Sequence, residues 1–531
     1  MTFDSPDRPI PHRFSLTDAE VVVIGSGAGG GTLASELCHK GVNVVLLEAG
    51  EHHQPEDFIN DEWPSLAQLA WLDSRTTSGS WQIATDWPTL PAWTCKAVGG
   101  TTVHWAGGCP RLKDWEFRTL STHGPIEGTS LLDWPIELSD LEPYYGKAEE
   151  RMGVTRTNGI PPLPANNNYK VMANGAKRVG YTGVSTGRMA INPVPRAGRP
   201  GTIQDGFNYQ GDKSRAHWST LTAEIPPAEK TGRLDLRPGC MAIRIEHNSS
   251  GRVTGVVYAD PDGHLQVQTA RLVCVAGNAI ETARLLLNST SSQFPDGLAN
   301  SSGQVGRNYL RHLTGSVFAT FEQPVHMYRG ETMAGIITDE SRNDPARGFV
   351  GGYYIEPLSL GPAFLASFLV PGGYGRDYAA VMEQYDHMAG MWLVGEDVPR
   401  KTNCVTLNTD VLDQFGQPVP NVHFDDHPND LAMREHAYAA GEAIYEAVGS
   451  TRTFRVPPYP NTHNMGTARM SARPEDGVVN EYGRAHDVPN LFVSDGSVMT
   501  TGAAANPTLT IVALALRQAD HIEEQMKAGN L

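Results

Sequence analysis

Short apolar runs open the chain, and their spacing predicts a buried parallel sheet. Residues 20–24 read Glu-Val-Val-Val-Ile, and residues 43–47 read Asn-Val-Val-Leu-Leu. Runs of this length without polar alternation are typical of strands buried on both faces. The segment between them, which is rich in Ala and Leu, predicts a helix that runs to about Lys40 and ends at Gly41. We therefore expect a strand–helix–strand unit with two parallel strands.

The turn between the first strand and the helix consists of small residues. Residues 25–30 read Gly-Ser-Gly-Ala-Gly-Gly, which is the G-x-G-x-x-G spacing of dinucleotide-binding turns. In such a turn Gly25 bends the chain, Gly27 lets a pyrophosphate approach the backbone, and Gly30 lets the helix pack on the strand. Free N–H groups at the helix start favour an anion. Glu48, at the end of the second strand, stands where ribose hydroxyls are bound.

Composition and charge narrow the range of partners. The 531 residues include 42 Lys+Arg and 59 Asp+Glu, a net charge of −17, which argues against nucleic acid or an anionic membrane as partner. The amino terminus has no signal-peptide pattern, and the apolar runs are too short to span a bilayer. We therefore expect a soluble, cytoplasmic protein. The six cysteines lack CxxC spacing, so we expect neither a disulfide framework nor a zinc site.

Four further segments resemble those of one enzyme family. They are the glycine-rich segment 97–105, the segment 134–150, the strand-turn-helix pattern of 273–287, and the carboxy-terminal residues 490–496 with 504–510. On these motifs the chain resembles the glucose-methanol-choline (GMC) family of FAD-dependent oxidoreductases. It looks nearest to the bacterial glucoside 3-dehydrogenase and pyranose-oxidising branch. The resemblance extends over about residues 18–525.

The resemblance implies a fold and a set of cofactor contacts. The fold is α/β (α+β), with a discontinuous Rossmann-like FAD domain of residues 15–160, 222–314 and 466–531. A second, sheet-based substrate domain takes residues 161–221 and 315–465; the alternating run 315–321 predicts one of its strands. The expected FAD contacts are Gly25, Gly27, Gly30, Glu48, Gly99, Gly100, Thr101, Thr102, His104, Trp105, Ala276, Asp495, Gly496, Asn506, Pro507 and Thr508.

The carboxy-terminal segment predicts a helix aimed at the flavin. Asn506-Pro507-Thr508 precede a run of good helix formers from Leu509 to Ile522. Proline is well tolerated at the first helical position, which we assign to Pro507. The amino-terminal end of a helix carries partial positive charge. Pointed at the flavin, it would stabilise the anionic reduced ring.

Two residues are candidates for catalysis. Alcohol oxidation needs a base for the hydroxyl proton while the flavin N5 takes the hydride, and a histidine pKa lies near neutrality. By resemblance, His463 in the segment 461–467 is that base. Asn506 falls on the family's second active-site position, where it can hold the substrate hydroxyl but cannot share the proton, so His463 acts alone.

The sequence bears on how FAD is attached and on whether an iron–sulfur cluster is present. His104 occupies the position that binds FAD covalently in some pyranose oxidases; we favour non-covalent FAD with His104 packed beside it. Relatives in this branch carry an iron–sulfur cluster on cysteines in the segment 199–220, but here the C-x2-C-x2-C-x3-C positions hold Thr202, Asp205, Asn208 and Asp212. Because such clusters need thiolates, we expect no cluster. These four residues form a polar loop or, alternatively, a site for a hard cation.

The leading hypothesis for function is oxidation of a ring hydroxyl, at C3 or C2, of a sugar or glycoside. Electrons would pass to O2, a quinone or another small acceptor. The alternatives are oxidation of a non-sugar aryl or aliphatic alcohol, a non-redox FAD-containing lyase, and a non-catalytic FAD-binding protein. The sequence leaves the oligomeric state open.

Overall fold

A five-stranded parallel sheet forms the centre of the computed structural model, which describes residues 19–62, 64–65, 69–80, 92–204, 206, 211–369, 374–458 and 461–531. The strand order is Leu491–Val493, Leu272–Val275, Val21–Ile24, Val44–Leu47 and Leu234–Arg237. Val22 is in register with Val45 on one side and with Val273 on the other. The predicted strand–helix–strand unit is confirmed, with its helix at Ala28–His39.

Alternate residues of the parallel strands serve two different cores. Val21 and Val23 pack in a cluster with Leu33 of the first helix and with Ile522 of the helix Thr508–Lys527. Val22, by contrast, belongs to the larger cluster on the opposite face. Because side chains alternate along a strand, each face of the sheet needs its own cover. Both faces are covered, which is why these strands read as continuous apolar runs.

An antiparallel sheet of three strands covers that second face. It contains Met241–His247, Val253–Ala259 and Leu265–Thr269. Ile245 and Val256 of this sheet lie in the same buried cluster as Val22. The helix Asn278–Asn288 follows the parallel strand Leu272–Val275, as the strand-turn-helix pattern predicts.

A six-stranded antiparallel sheet forms the second layer of the molecule. Its strand order is Arg452–Val456, Leu313–Thr320, Met388–Gly395, Tyr353–Pro357, Ile336–Ile337 and Val184–Ser185. The helices Pro428–Glu446 and Asn167–Arg178 pack on one face, around residues such as Val317 and Met391. The strand predicted at 315–321 is the observed Leu313–Thr320. This sheet draws on separated stretches of the chain, and the exact domain boundaries stay a prediction.

Register in this sheet brings two side chains of the site together. Glu356 of the strand Tyr353–Pro357 is the cross-strand partner of Trp392. Paired residues lie on the same face of a sheet. That face belongs to the larger buried cluster, which includes Tyr354 and Trp392, and it is opposite to the face covered by the two helices.

The remaining described elements complete the two layers. One small sheet holds Cys404–Leu412, Pro418–His423 and Thr77–Ser78, and another holds Leu69–Trp71 and Trp93–Cys95. The other α-helices are Thr119–His123, Leu138–Met152, Thr220–Ala223, Ile225–Lys230, Pro362–Leu369 and Arg376–Met382. Among the residues described, no helix is both long enough and apolar enough to cross a membrane.

Candidate active site

Two of the three motif glycines in the turn are tightly packed against the protein, and the third faces open space. Gly25 has φ +97°, and a Cβ there would lie 2.3 Å from the Ala276 carbonyl oxygen. A Cβ on Gly30 would lie 2.0 Å from the carbonyl oxygen of Gly25. At Gly27, in contrast, the nearest atom to an added Cβ is the Gly100 Cα at 4.0 Å. The backbone at Gly27 is therefore open to a ligand, as the motif predicts.

A cavity extends from this turn along the carboxyl ends of the parallel strands. In open parallel sheets this edge is where nucleotides bind. Of the predicted cofactor contacts, this cavity is lined by Gly25, Gly27, Glu48, Gly100, Thr101, Ala276, Asp495 and Gly496. Gly30 and Gly99 do not line it; Gly30 packs the helix on the strand, and Gly99 donates its N–H to Ser26 Oγ at 2.9 Å.

Two buried carboxylates are held on the wall of this cavity. Glu48 Oε2 accepts hydrogen bonds from the N–H and the hydroxyl of Ser26 at 3.0 and 2.6 Å. Asp495 Oδ2 accepts from the Asn278 N–H at 3.0 Å and from the Thr282 hydroxyl at 2.6 Å. Burial raises the pKa of both carboxyls. The hydrogen bonds fix each side chain in place, which orients it toward a ligand in the cavity.

A second cavity adjoins the first. The two share wall residues such as Thr101, Thr462 and Ile511, so a ligand can extend from one into the other. The predicted site residues on the second wall are Thr101, Thr102, His104, Trp105, His463, Asn506, Pro507 and Thr508. Its apolar wall includes Trp93, Met333, Leu358, Leu360, Phe364 and Trp392. An apolar cavity with a few convergent polar groups is the usual form of a small-molecule site.

His463 lies on this wall in a fixed orientation. Its N–H donates to Asn461 Oδ1 at 3.0 Å, and its ring centroid lies 5.3 Å from that of Trp392. Its Nδ1 lies 2.9 Å from Nδ1 of His312, a residue that the sequence analysis did not single out. Burial holds the pKa of His463 well below its usual range. The imidazole is therefore neutral near pH 7 and free to accept a proton.

Asn506 is paired with a buried acid that the sequence analysis also missed. Its Nδ2 donates to Glu356 Oε2 at 3.4 Å. Its Oδ1 is buried and has no hydrogen-bond partner among the described residues. A buried amide oxygen ordinarily accepts a hydrogen bond. This acceptor on the cavity wall therefore suits a donor group of a ligand.

Glu356→Gln is expected to change how stability depends on pH. Burial raises the pKa of Glu356 to about 8, from an ordinary 4.5. The folded state thus keeps a proton that the unfolded chain releases between these values, and the wild type loses stability as the pH rises through that range. Relative to the wild type, the variant should gain on the order of 3 kcal/mol between pH 5 and pH 8.

Thermal unfolding midpoints of both proteins at pH 5, 6.5 and 8 measure this effect. The exposed Glu322→Gln is the control, since it removes a carboxyl that is not buried. A constant difference between wild type and Glu356→Gln across the three values would mean that the folded protein does not hold Glu356 protonated.

The last helix begins at the cavity. It spans Thr508–Lys527, so it starts one residue after the predicted first position at Pro507 and ends five residues later than predicted. Pro507 is the residue before its first turn rather than within it, and no side chain caps the first N–H groups. Pro507 and Thr508 lie on the cavity wall. The uncapped helix end therefore presents its partial positive charge to the cavity.

His104 and Trp105 are held beside the same cavity. The His104 ring is buried and meets the Phe58 ring edge-on at a centroid distance of 5.7 Å. Trp105 Nε1 donates to the Trp218 carbonyl oxygen at 2.8 Å. Both contacts fix the glycine-rich segment that precedes them against the cavity.

Four polar residues stand at the positions where relatives carry the cysteines of an iron–sulfur cluster. The structure describes two of them, and both form hydrogen bonds within the protein. Thr202 donates its hydroxyl to Glu331. Asp212 accepts from the N–H and the hydroxyl of Ser214 at 2.9 and 2.6 Å and from the His217 N–H at 2.6 Å. Asp205 and Asn208 lie outside the described residues. The two described members thus behave as parts of a hydrogen-bonded loop.

Comparison with known proteins assigns the family. Two family models, both described as GMC oxidoreductase, match residues 77–314 and 399–515. A 2-methyl-1,2-propanediol dehydrogenase from Mycolicibacterium austroafricanum is 34% identical to this chain and aligns with 96% of each protein. The chain belongs to the GMC oxidoreductase family. The predicted family is thus confirmed, whereas the glucoside 3-dehydrogenase branch stays a prediction.

Other relatives in the GMC family align over comparable lengths. The fructose dehydrogenase large subunit from Gluconobacter japonicus is 28% identical, over 96% of this chain and 99% of the relative. The crystal structure of pyridoxine 4-oxidase from Mesorbium loti has a TM-score of 0.71 and 17% identity, covering 95% of this chain and 99% of that one, and it shows the same fold. The protein is an FAD-dependent GMC oxidoreductase that acts on CH–OH donors.

The residues present fit this cofactor. The open backbone at Gly27 and the start of the first helix suit the pyrophosphate, and Glu48 suits the ribose. The junction of the two cavities, at Thr101 and Ile511, leaves room for the ring system.

Proposed function

We propose that this protein oxidises an alcohol with His463 as the base and Asn506 as the residue that holds the substrate, around non-covalently bound FAD. One observation carries the proposal: the His463 imidazole and an amide with an unpartnered oxygen share one cavity wall, next to the dinucleotide cavity. Proximity of a base and an orienting group is what proton abstraction from a hydroxyl requires.

Each residue has a distinct task in this proposal. The substrate hydroxyl donates its proton to the free ring nitrogen of His463, and the carbon–oxygen bond becomes a carbonyl as a hydride leaves the carbon. Bound FAD supplies the acceptor for that hydride. Asn506 uses one N–H on Glu356 and can donate the other to the reacting oxygen. Its Oδ1 can accept from a second, neighbouring hydroxyl.

A sugar or glycoside ring hydroxyl, at C3 or C2, is the first candidate substrate. Vicinal hydroxyls match the donor and acceptor ends of the Asn506 amide. The rings of Trp93 and Trp392 on the wall offer flat faces for the C–H side of a sugar ring. A fructose dehydrogenase large subunit is among the relatives of similar length.

A non-sugar alcohol is the second candidate, and the apolar wall favours it. Met333, Leu358, Leu360 and Phe364 provide no hydrogen bonds from their side chains, and a buried hydroxyl without a partner is costly. The relative with 34% identity is named for a branched diol. A vicinal diol with an apolar flank satisfies both the wall and the Asn506 amide.

Electrons are proposed to leave the reduced cofactor directly for O2, a quinone or another small acceptor. The side chains at the positions of the iron–sulfur cysteines support this proposal, because Thr202 and Asp212 offer oxygen rather than thiolate sulfur. Their described hydrogen bonds are made to protein groups.

Anaerobic bleaching of the flavin absorbance tests the function and separates the candidates. The panel contains methyl β-glucoside, fructose, 2-methyl-1,2-propanediol and benzyl alcohol. Reduction by the sugars alone supports the first candidate, and reduction by the diol or benzyl alcohol alone supports the second. Bleaching by none of them would contradict alcohol oxidation and favour a non-redox role. Air is then admitted: fast recovery of the yellow colour indicates an oxidase, and slow recovery indicates a dehydrogenase.

A further inference from the structure

We propose that His312 is a positioning residue that fixes which nitrogen of His463 is free to accept the substrate proton. The two rings meet edge-on, with their centroids 5.0 Å apart and the two Nδ1 atoms 2.9 Å apart. On its other side, His312 Nε2 lies 2.8 Å from the carbonyl oxygen of Gly502. This inference rests on the proposed role of His463 as the base.

The carbonyl of Gly502 determines the tautomers of both rings. A carbonyl oxygen can only accept, so His312 Nε2 must carry a hydrogen. A neutral imidazole has one N–H, which leaves His312 Nδ1 as an acceptor. His463 Nδ1 must then be the donor in the bond between the rings. The lone pair of His463 is therefore on Nε2, for which no partner exists among the described residues, and His463 lines the cavity.

The same contact supports His463 after it has taken the proton. The imidazolium carries hydrogen on both nitrogens, and its Nδ1–H keeps donating to His312. Hydrogen bonds from a charged donor are stronger than neutral ones. Burial lowers the pKa of His312 to about 4, so the acceptor stays neutral and does not repel the new charge.

The backbone around His312 is arranged for this contact. His312 is buried and has φ +61°, a left-handed conformation that costs energy for a residue with a side chain. A Cβ at Gly502 would lie 2.9 Å from Asp397 Oδ1 and 3.1 Å from His312 Cδ2, so a side chain here would crowd the His312 ring. The Asp397 carboxyl, which that Cβ would meet, accepts the Arg311 N–H at 2.8 Å. Strained backbone that the surroundings hold in place is frequent at functional sites.

Two variants of His312 separate positioning from a structural role. His312→Asn places an amide oxygen near the position of Nδ1, so it keeps an acceptor for His463 but loses the donor to Gly502. His312→Gln places its amide near Nε2, so it keeps the donor to Gly502 but loses the acceptor for His463.

The flavin reduction rate is measured anaerobically with whichever panel compound bleaches the wild type fastest. We expect a loss of about 100-fold in the Gln variant and less than about 10-fold in the Asn variant. The reverse order would overturn the proposal in favour of a structural role, and equal rates in wild type and His312→Gln would also overturn it.

A substrate-independent measurement tests the tautomer itself. In the FAD-bound wild type labelled with 15N-histidine, NMR should find His463 protonated at Nδ1 and unprotonated at Nε2, and the opposite tautomer would contradict the proposal. His463→Ala separates a failure of the base assignment from a failure of the role proposed for His312. If that variant keeps full activity, the base assignment itself fails. If it loses activity while His312→Gln does not, only the role of His312 is rejected.

Discussion

His463→Ala is expected to slow reduction of the flavin by substrate about 10²–10⁴-fold, which is the usual contribution of a general base. Without the imidazole, no neutral base with an open ring nitrogen remains at that point of the cavity wall to take the hydroxyl proton. FAD should stay bound, because His463 does not line the dinucleotide cavity. Stopped-flow absorbance under anaerobic conditions gives the rate, and the flavin-to-protein absorbance ratio gives the FAD content.

The control for this variant is another histidine replacement far from the site. His264 lies in an exposed turn, with a side chain 75% accessible, so His264→Ala should reduce the flavin at the wild-type rate. A His463→Ala protein with full FAD content and an unchanged reduction rate would rule out His463 as the base.

Gly27→Val is expected to weaken FAD binding by at least about 100-fold, or roughly 2.7 kcal/mol, while the protein still folds. The new side chain would enter the space where we propose that the pyrophosphate binds, because an added Cβ lies no closer than 4.0 Å to the nearest protein atom. The purified variant should therefore be colourless with a nearly unchanged circular dichroism spectrum. Titration of the apoprotein with FAD, followed by flavin fluorescence, measures the affinity.

Gly30→Ala provides the contrasting case within the same turn. Its Cβ would lie 2.0 Å from the Gly25 carbonyl oxygen and 2.8 Å from the Ala276 Cβ, so the strand and helix must move apart. Overpacking of this kind costs about 1–3 kcal/mol, and the thermal midpoint should fall even without FAD. If Gly27→Val binds FAD as the wild type does, the turn does not hold the pyrophosphate.

Much of the fold was readable from local pattern. The strands Val21–Ile24 and Leu313–Thr320 were predicted from it within a few residues, and the helix Asn278–Asn288 was implied by the family resemblance. Boundaries shifted where tertiary contacts extend an element, as in the last helix, which continues to Lys527. Its final turns pack on the end of the first helix, where Lys40 Nζ donates to Glu523 Oε2 at 2.9 Å and Met526 packs against the cluster that contains Leu33. The local sequence does not encode these contacts.

The candidate site also contains residues that the sequence predicted and residues that it did not. The turn at Gly25–Gly30 and Glu48 could be predicted from their spacing along the chain, and His463 and Asn506 could be predicted because their segments resemble those of the family. His312 and Glu356 could not. His312 is 151 positions from His463, and Glu356 is 150 positions from Asn506.

The sequence by itself therefore determined the class of the protein: a dinucleotide turn, the family motifs and the residues that carry the proposed chemistry. Only the tertiary structure decided the environment of those residues, namely which groups surround them, which nitrogen of His463 is free and where the pKa of Glu356 lies. The physical reason is that hydrogen bonds and burial depend on distance in space. The tertiary placement of His312 and Glu356 next to the segments that carry His463 and Asn506 sets these distances. Period-two alternation predicts which face of a sheet a side chain occupies but not what it meets there.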